Sequence, residues 1–414
     1  MLSATPSTND RHQIHVHSED WVDNRNVLLK QRADALLNNP CFLLLYVPEN
    51  GNKMRMIRPA IDAYHRERIT QRMNECSRGT PLTYYTLSHR WGITWTNQHL
   101  WNDIGEYVDD ENGLPVDPVS MRPEKRHTLL EIFQGHPDSY WWIDVLCARA
   151  DVPMDIRGDV FACCTQCIAM VDWDTSIIRQ LNSIKDLNIL KLAFQNISCT
   201  LLLGYYEQLN GLFSSLTQCG WWNSIWTLQE MALSPTTILM AETTTELSDP
   251  NNLMDIDDLC HFESILGEIL FCLMEKGSRP LHAPTTAFKE LKCSRELKMD
   301  RSLGYLHPSS LIDLFNVFAR STRCSIDPID YVYGVLGVLR LDIPTMKDPG
   351  QVWHQFLFKV QEMLNKLMEH QFSIGNAGTV PLITINDDAF RIDLSTARSM
   401  ADRGLGSTDS LQQQ

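Results

Sequence analysis

Apolar residues in this chain fall into short unbroken blocks separated by amphipathic stretches. The block at 41–47 predicts a buried strand, and the Pro-Glu-Asn-Gly turn after it ends on Gly51, which supplies the positive φ of a hairpin returning through 53–58. Ile61, Tyr64, Ile69 and Met73 recur at helical spacing and predict a helix over 60–76. A second apolar run, 83–88, ends in the polar sequence Ser88-His89-Arg90 beside Gly92. The pattern predicts a helix over 94–108, an acidic, Pro-containing loop to 123, and a helix over 123–134 that turns Leu129, Leu130 and Phe133 inward. The run at 139–147 predicts a buried strand with a single carboxylate, Asp144, near its end. A helix over 155–164, a strand at 166–171, a long Leu- and Ile-rich insertion and a strand at 236–240 follow.

Continuous apolar strands alternating with helices predict an α/β fold with a mostly parallel sheet flanked by helices. After Glu242 the pattern becomes helical, at 257–276, 285–297, 309–320 and 352–368, and the segment Asp327-Pro-Ile-Asp-Tyr-Val-Tyr-Gly-Val-Leu-Gly337 reads as a turn feeding a compact apolar stretch. The expected organisation is therefore a mobile arm over 1–38 containing a short helix at 23–37, an α/β domain over 39–245, a helical C-terminal region over 246–375 and a partly disordered tail over 376–414. That tail includes a strand pair between 380 and 392. There is no internal repeat.

The run from Gly220 to Leu233 carries the most distinctive chemistry. Trp221, Trp222 and Trp226 open it, and Asn223 or Ser224 is placed to cap a helix whose only polar interior residues are Thr227, Gln229 and Glu230. Glu230 follows Trp226 by four residues, on the same helical face. A carboxylate on so apolar a helix costs free energy unless it is paired or faces a cleft, which makes it a site candidate. Ser88, His89, Arg90 and Gly92 follow a strand that would end at the carboxyl edge of a parallel sheet, where α/β proteins place ligand groups, and Asp144 ends the neighbouring strand. Large aromatics dominate buried packing, so Trp91, Trp142, Trp222 and Trp226 read first as core; Trp226 also stays among the ligand-facing candidates through its position relative to Glu230.

Composition narrows the functional classes. Of 414 residues, 43% are hydrophobic and 21% charged, which places the chain among globular proteins. The net charge of −15 disfavours a sequence-independent grip on nucleic acid or on an anionic membrane. No window is apolar over the 18 or so residues of a membrane span, and the polar N-terminus lacks the hydrophobic core of a secretory signal, so a cytoplasmic location and reduced thiols are expected. Cys163, Cys164 and Cys167 form the only cysteine cluster, with no second ligand pair at zinc spacing, and no metal is expected.

Four segments together resemble the fungal heterokaryon-incompatibility (HET) domain family: Tyr85-Thr-Leu-Ser-His-Arg-Trp-Gly92, Trp142-Ile-Asp-Val-Leu-Cys147, Trp222-Asn-Ser-Ile-Trp-Thr-Leu-Gln-Glu230 and Asp327-Pro-Ile-Asp-Tyr-Val-Tyr-Gly-Val-Leu-Gly337. The core of the resemblance lies between 83 and 240. One departure follows Cys147, where Ala-Arg-Ala-Asp stands in place of the family's usual Ile-Asn-Gln or Ile-Asp-Lys. The resemblance implies a role in non-self recognition and programmed cell death, exercised by a self-associating interaction or effector module with an unidentified sensor partner. HET domains are in turn similar to TIR domains, so a TIR- or flavodoxin-like sheet is implied, and with it an alternative: NAD as substrate of a glycohydrolase with Glu230 as the catalytic carboxylate, Arg90 on the diphosphate, and Ser88 and the amides near Gly92 assisting.

Overall fold

The computed structural model describes residues 18–75, 84–92, 98–148, 156–185, 198–244, 246–278, 287–302, 308–318 and 329–374, together with single residues between 321 and 327. The expected tail and the strand pair between 380 and 392 lie outside the described residues, as does most of the loop after Cys147.

Eight strands form one sheet: β1 (Leu44–Val47), β2 (Met54–Ile57), β3 (Tyr85–His89), β5 (Val108–Asp109), β7 (Ser139–Ile143), β8 (Gln166–Val171), β9 (Thr237–Ala241) and β10 (Leu253–Asp255). Their order across the sheet is β10-β9-β8-β3-β7-β1-β2-β5. The centre, β9-β8-β3-β7, is parallel throughout, with Leu87 opposite Ile168 on one side and Ile143 on the other. Antiparallel strands extend it at both sides: β1 pairs with β7 and β2 with β1, and β10 pairs with β9. Every residue of β7 is buried, as a strand covered by helices on both faces must be. The predicted hairpin is present, and Gly51 adopts φ +69° in its turn.

In chain order the four parallel strands lie 2-1-3-4, the start of a flavodoxin-like order, so the chain reverses direction across the sheet between β3 and β8. This crevice at the carboxyl edge is the place where such sheets bind ligands.

One expectation fails locally. Residues 94–97 lie outside the described residues, and 98–108 do not form the expected helix: β4 (Leu100–Trp101) pairs with β6 (Val119–Ser120), and a single 3-10 turn, Ile104–Glu106, precedes β5. Buried Trp101, Ile104 and Val108 have helical spacing, but they are inward positions of a folded-back loop. The helix expected to start at Asn223 or Ser224 does start there, as Ile225–Leu233, and a separate short helix, Gly220–Asn223, precedes it. Ser224 stands at the N-cap of the second helix but makes no side-chain cap bond. The predicted inward face of the Ala63–Glu75 helix is also only half right. Ile69 and Met73 are buried, whereas Ile61 before the helix and Tyr64 in its first turn are exposed.

The C-terminal helices are not a separate layer. Asp330–Leu339, helical where a turn and apolar segment were expected, packs along Ile225–Leu233 and Ile156–Ala162. Its glycines permit that approach: a Cβ on Gly158 would stand 2.7 Å from Gly337 Cα, and one on Gly337 2.8 Å from Gly158 Cα. Gly337→Ala should therefore push these helices apart and destabilise the protein by about 1–3 kcal/mol, read as a lower urea midpoint at unchanged m-value. At the other end of the chain, Ser18–Asn38 is one helix, and Ala33, Leu36 and Leu37 of its last turns are buried, so the segment expected as an arm is attached to the core from Ala33 onward.

Candidate functional site at the carboxyl edge of the sheet

Five charged or polar groups converge because their strands end together. Ser88 and His89 close β3, Asp144 follows β7, Asp172 follows β8 and Glu242 follows β9. The Pro123–Gly135 helix brings Lys125 against the same edge, and Arg122 lies immediately before it.

At the centre, the Ser88 hydroxyl donates a hydrogen bond to Glu230 Oε2 and accepts one from Trp221 Nε1 at 2.9 Å. Glu230 thus meets the end of β3 through Ser88. Glu230 is 8% exposed. Burial, followed by the negative charge of Asp144, pushes its carboxyl up to about 8, against the pull of the Ser88 hydroxyl, Arg157 and Arg323. At neutral pH this carboxyl holds its proton.

Asp144 is the opposite case. Burial works against its ionisation, but the His89 ring and the Trp91 N–H outweigh burial and hold its pKa below the ordinary carboxylate range. Its Oδ2 accepts from Trp91 Nε1 at 2.5 Å and its Oδ1 from the Val145 amide at 2.7 Å. His89 Nε2 lies 3.1 Å from Oδ1, off the line of a good hydrogen bond. On its other side the ring meets Lys125, whose Nζ is 3.0 Å from His89 Nδ1 and also donates to the Arg90 carbonyl. Nδ1 also lies 3.1 Å from the Arg90 carbonyl, so it faces both a donor, the lysine ammonium, and an acceptor that the ammonium itself occupies; with the ammonium donating to both, the ring proton is assigned to Nε2, facing Asp144. Burial and the nearby lysine lower the His89 pKa, against the pull of Asp144. Lys125 is itself fully buried, and burial pulls it down to about 8 against the attraction of Glu242.

Arg90 does not stand free as a diphosphate ligand. Its Nη1 lies 3.2 Å from Asp172 Oδ2, and the guanidinium fills the space a Cβ on Gly220 would need. Asp172 also accepts from the Gly220 and Trp221 amides at 3.0 and 2.9 Å, which fixes the start of the tryptophan-rich segment. Arg122 joins the network through Glu242 at 3.0 Å. Gly92 serves packing: a Cβ there would collide with the His99 carbonyl at 2.3 Å, and the Gly92 carbonyl accepts from the His99 amide. Trp226 lies under Arg157, whose guanidinium carbon is 4.7 Å from the ring centroid, and its indole bonds Asp330. Trp142 and Trp222 are core, as expected; Trp91 is not, being 42% exposed.

Lys125, Arg122, Asp172, Glu242 and Trp221 carried no signal in the sequence beyond their positions just after strands or on amphipathic stretches. A cavity of about 480 Å³ opens at the amino edge, among Tyr84, Tyr85, His136, Asp138 and Tyr140. It lies across the sheet from this cluster; of its charged residues, Arg72 is paired with Asp138, and Glu75 accepts from Gln71.

The segments that build this edge are the ones a family comparison picks out. Residues 84–230, from the start of β3 to Glu230, match the family described as Heterokaryon incompatibility protein (HET). The chain carries a HET domain. No curated protein and no solved structure matches it. The HET match omits β1, β2, β9 and β10, which complete the sheet, and the Asp330–Leu339 helix packed on its last segment. Among the described residues no helix is long and apolar enough to cross a membrane.

Proposed function

We propose that this chain is an effector of heterokaryon incompatibility, linking non-self recognition to cell death, and that its HET domain acts through the carboxyl-edge site, with NAD as the substrate class and Glu230 as the reacting carboxyl. One observation carries the reading: a buried carboxyl with a raised pKa, held by Ser88 where the strand order reverses. Cleavage breaks the bond between ribose C1′ and the nicotinamide nitrogen. The bonding pair leaves with the ring, which becomes neutral, and water adds to C1′ and releases a proton. The ribose passes through an oxocarbenium-like state that an ionised carboxylate stabilises. Glu230 must therefore lose its resting proton, and a cationic ring arriving beside it favours that loss.

A second reading, that the domain works by self-association without catalysis, is favoured by a different observation. Both Arg90 and Glu230 already have partners within one chain, so a ligand would have to compete with those partners. Incubating concentrated protein with NAD and measuring free nicotinamide, with light scattering as a parallel record of assembly, separates the two. Release that falls at least 100-fold in Glu230→Gln is the expected result. Assembly without release would leave the interaction module.

A further inference from the structure

Trp91 is anomalous among the tryptophans of the sheet and the helices that cover it. Trp141, Trp142, Trp221 and Trp222 are buried, yet Trp91 is 42% exposed. It is nevertheless held in place. Its Nε1 bonds Asp144 Oδ2 at 2.5 Å, its neighbour Arg90 is tied to Asp172, and Gly92 is pinned against His99 and Met121. The ring is thus a fixed, solvent-facing aromatic surface three residues beyond Ser88, backed by a carboxylate whose negative charge also reaches Glu230. The indole's only donor is committed to Asp144, and the exposed part of the ring is open to solvent.

An indole face attracts a cation through its ring quadrupole, and a buried anion behind the N–H adds to that attraction. A flat ring bearing positive charge satisfies both terms, whereas a neutral ring gains stacking alone.

We infer that Trp91 is the residue on which the site stacks the positively charged pyridinium ring of its substrate, with Asp144 as the anchor that orients the indole. The inference rests on the NAD reading above. It assigns Trp91 to recognition of the leaving ring and leaves the ionisation of Glu230 as a separate matter.

The test uses the full chain. In the wild type, 1-methylnicotinamide, a fixed cation, should compete against NAD more tightly than neutral nicotinamide. In Trp91→Ala the KM for NAD should rise about 3- to 30-fold with kcat changed much less, and the preference for the cationic competitor should vanish. Trp91→Phe keeps an aromatic face and loses the anchor, so it should fall between the two; it also serves as the variant of record should the alanine protein fold poorly. NAD binding to Glu230→Gln by calorimetry supplies a readout independent of turnover. Equal NAD affinity in Glu230→Gln and in the Trp91→Ala, Glu230→Gln double variant, with wild-type cleavage intact, would overturn the role of Trp91 and leave the NAD reading standing. A wild type that neither binds nor cleaves NAD under assembling conditions would overturn both.

Discussion

Arg323→Ala is expected to destabilise the protein by roughly 3–5 kcal/mol, the loss appearing as a lower urea midpoint by far-UV circular dichroism. Arg323 lies outside the matched HET segment, yet its guanidinium is inserted at the break between the two tryptophan-rich helices. Nη1 donates to the Trp222 carbonyl at 2.5 Å, the Ser224 carbonyl at 2.9 Å and Thr227 Oγ1 at 3.1 Å, while Nε donates to Glu290 Oε2 at 2.8 Å. The charge also sits 5.2 Å from the centre of the Trp222 ring. Truncation removes the partner of two carbonyls at a helix break and strands Glu290, which is 3% exposed, as an unpaired buried carboxylate. That asymmetry gives a sharper check. Arg323 Nη2 and Glu290 Oε1 are buried with no hydrogen-bond partner among the described residues, so the pair is incompletely satisfied. Replacing both members, as Arg323→Met with Glu290→Leu, should recover part of the loss. A double variant as unstable as the sum of the singles would mean that the carbonyl contacts, and not the stranded charge, dominate.

The same break shows where sequence reading stops. A short polar side chain at Asn223 or Ser224 marks the start of the Glu230 helix, but nothing in that window reveals the short helix Gly220–Asn223 before it, or that Arg323, about a hundred residues later, binds the carbonyls at the junction. Strands are more legible because blocks such as 167–171 are apolar at every position, a pattern fully buried parallel strands require, and the strand ends then place Ser88 and Asp144 near one another. The misreading of 94–108 has a physical source: Trp101, Ile104 and Val108 are spaced as on a helix face, and only the pairing of Leu100 and Trp101 with Ser120 and Val119 reveals an alternative. Trp91 was read as core by residue type, whereas its indole N–H is committed to Asp144 and its face to solvent. Lys125 was the least legible. A lysine on an amphipathic helix normally reads as solvated, and only the strand order places it beneath His89 and the Arg90 carbonyl.

Glu230→Gln should alter the dependence of stability on pH by on the order of 3–5 kcal/mol between pH 4.5 and 8.5, at about 1.4 kcal/mol for each unit by which folding displaces the pKa. Folding raises this carboxyl from 4.5 to about 8, so in that interval the folded chain keeps a proton that the unfolded chain releases. The associated stability is fully present below about pH 4.5 and is lost as the pH rises through 8. Glutamine has no proton to lose, and its carbonyl oxygen can still accept from the Ser88 hydroxyl. Lys125 and His89 titrate in both proteins, so the difference between wild type and variant isolates Glu230 unless their pKa values move with it. The variant should gain on the wild type steadily from pH 5 to pH 8 and then level off, in paired urea titrations at each pH. A difference that stays flat across this range would mean that the carboxyl is already ionised at neutral pH, and the resting proton would drop out of the mechanism. If the gain appears, the wild-type chain keeps an acid whose displaced ionisation costs it stability as the pH rises, the kind of local cost that reactive sites carry.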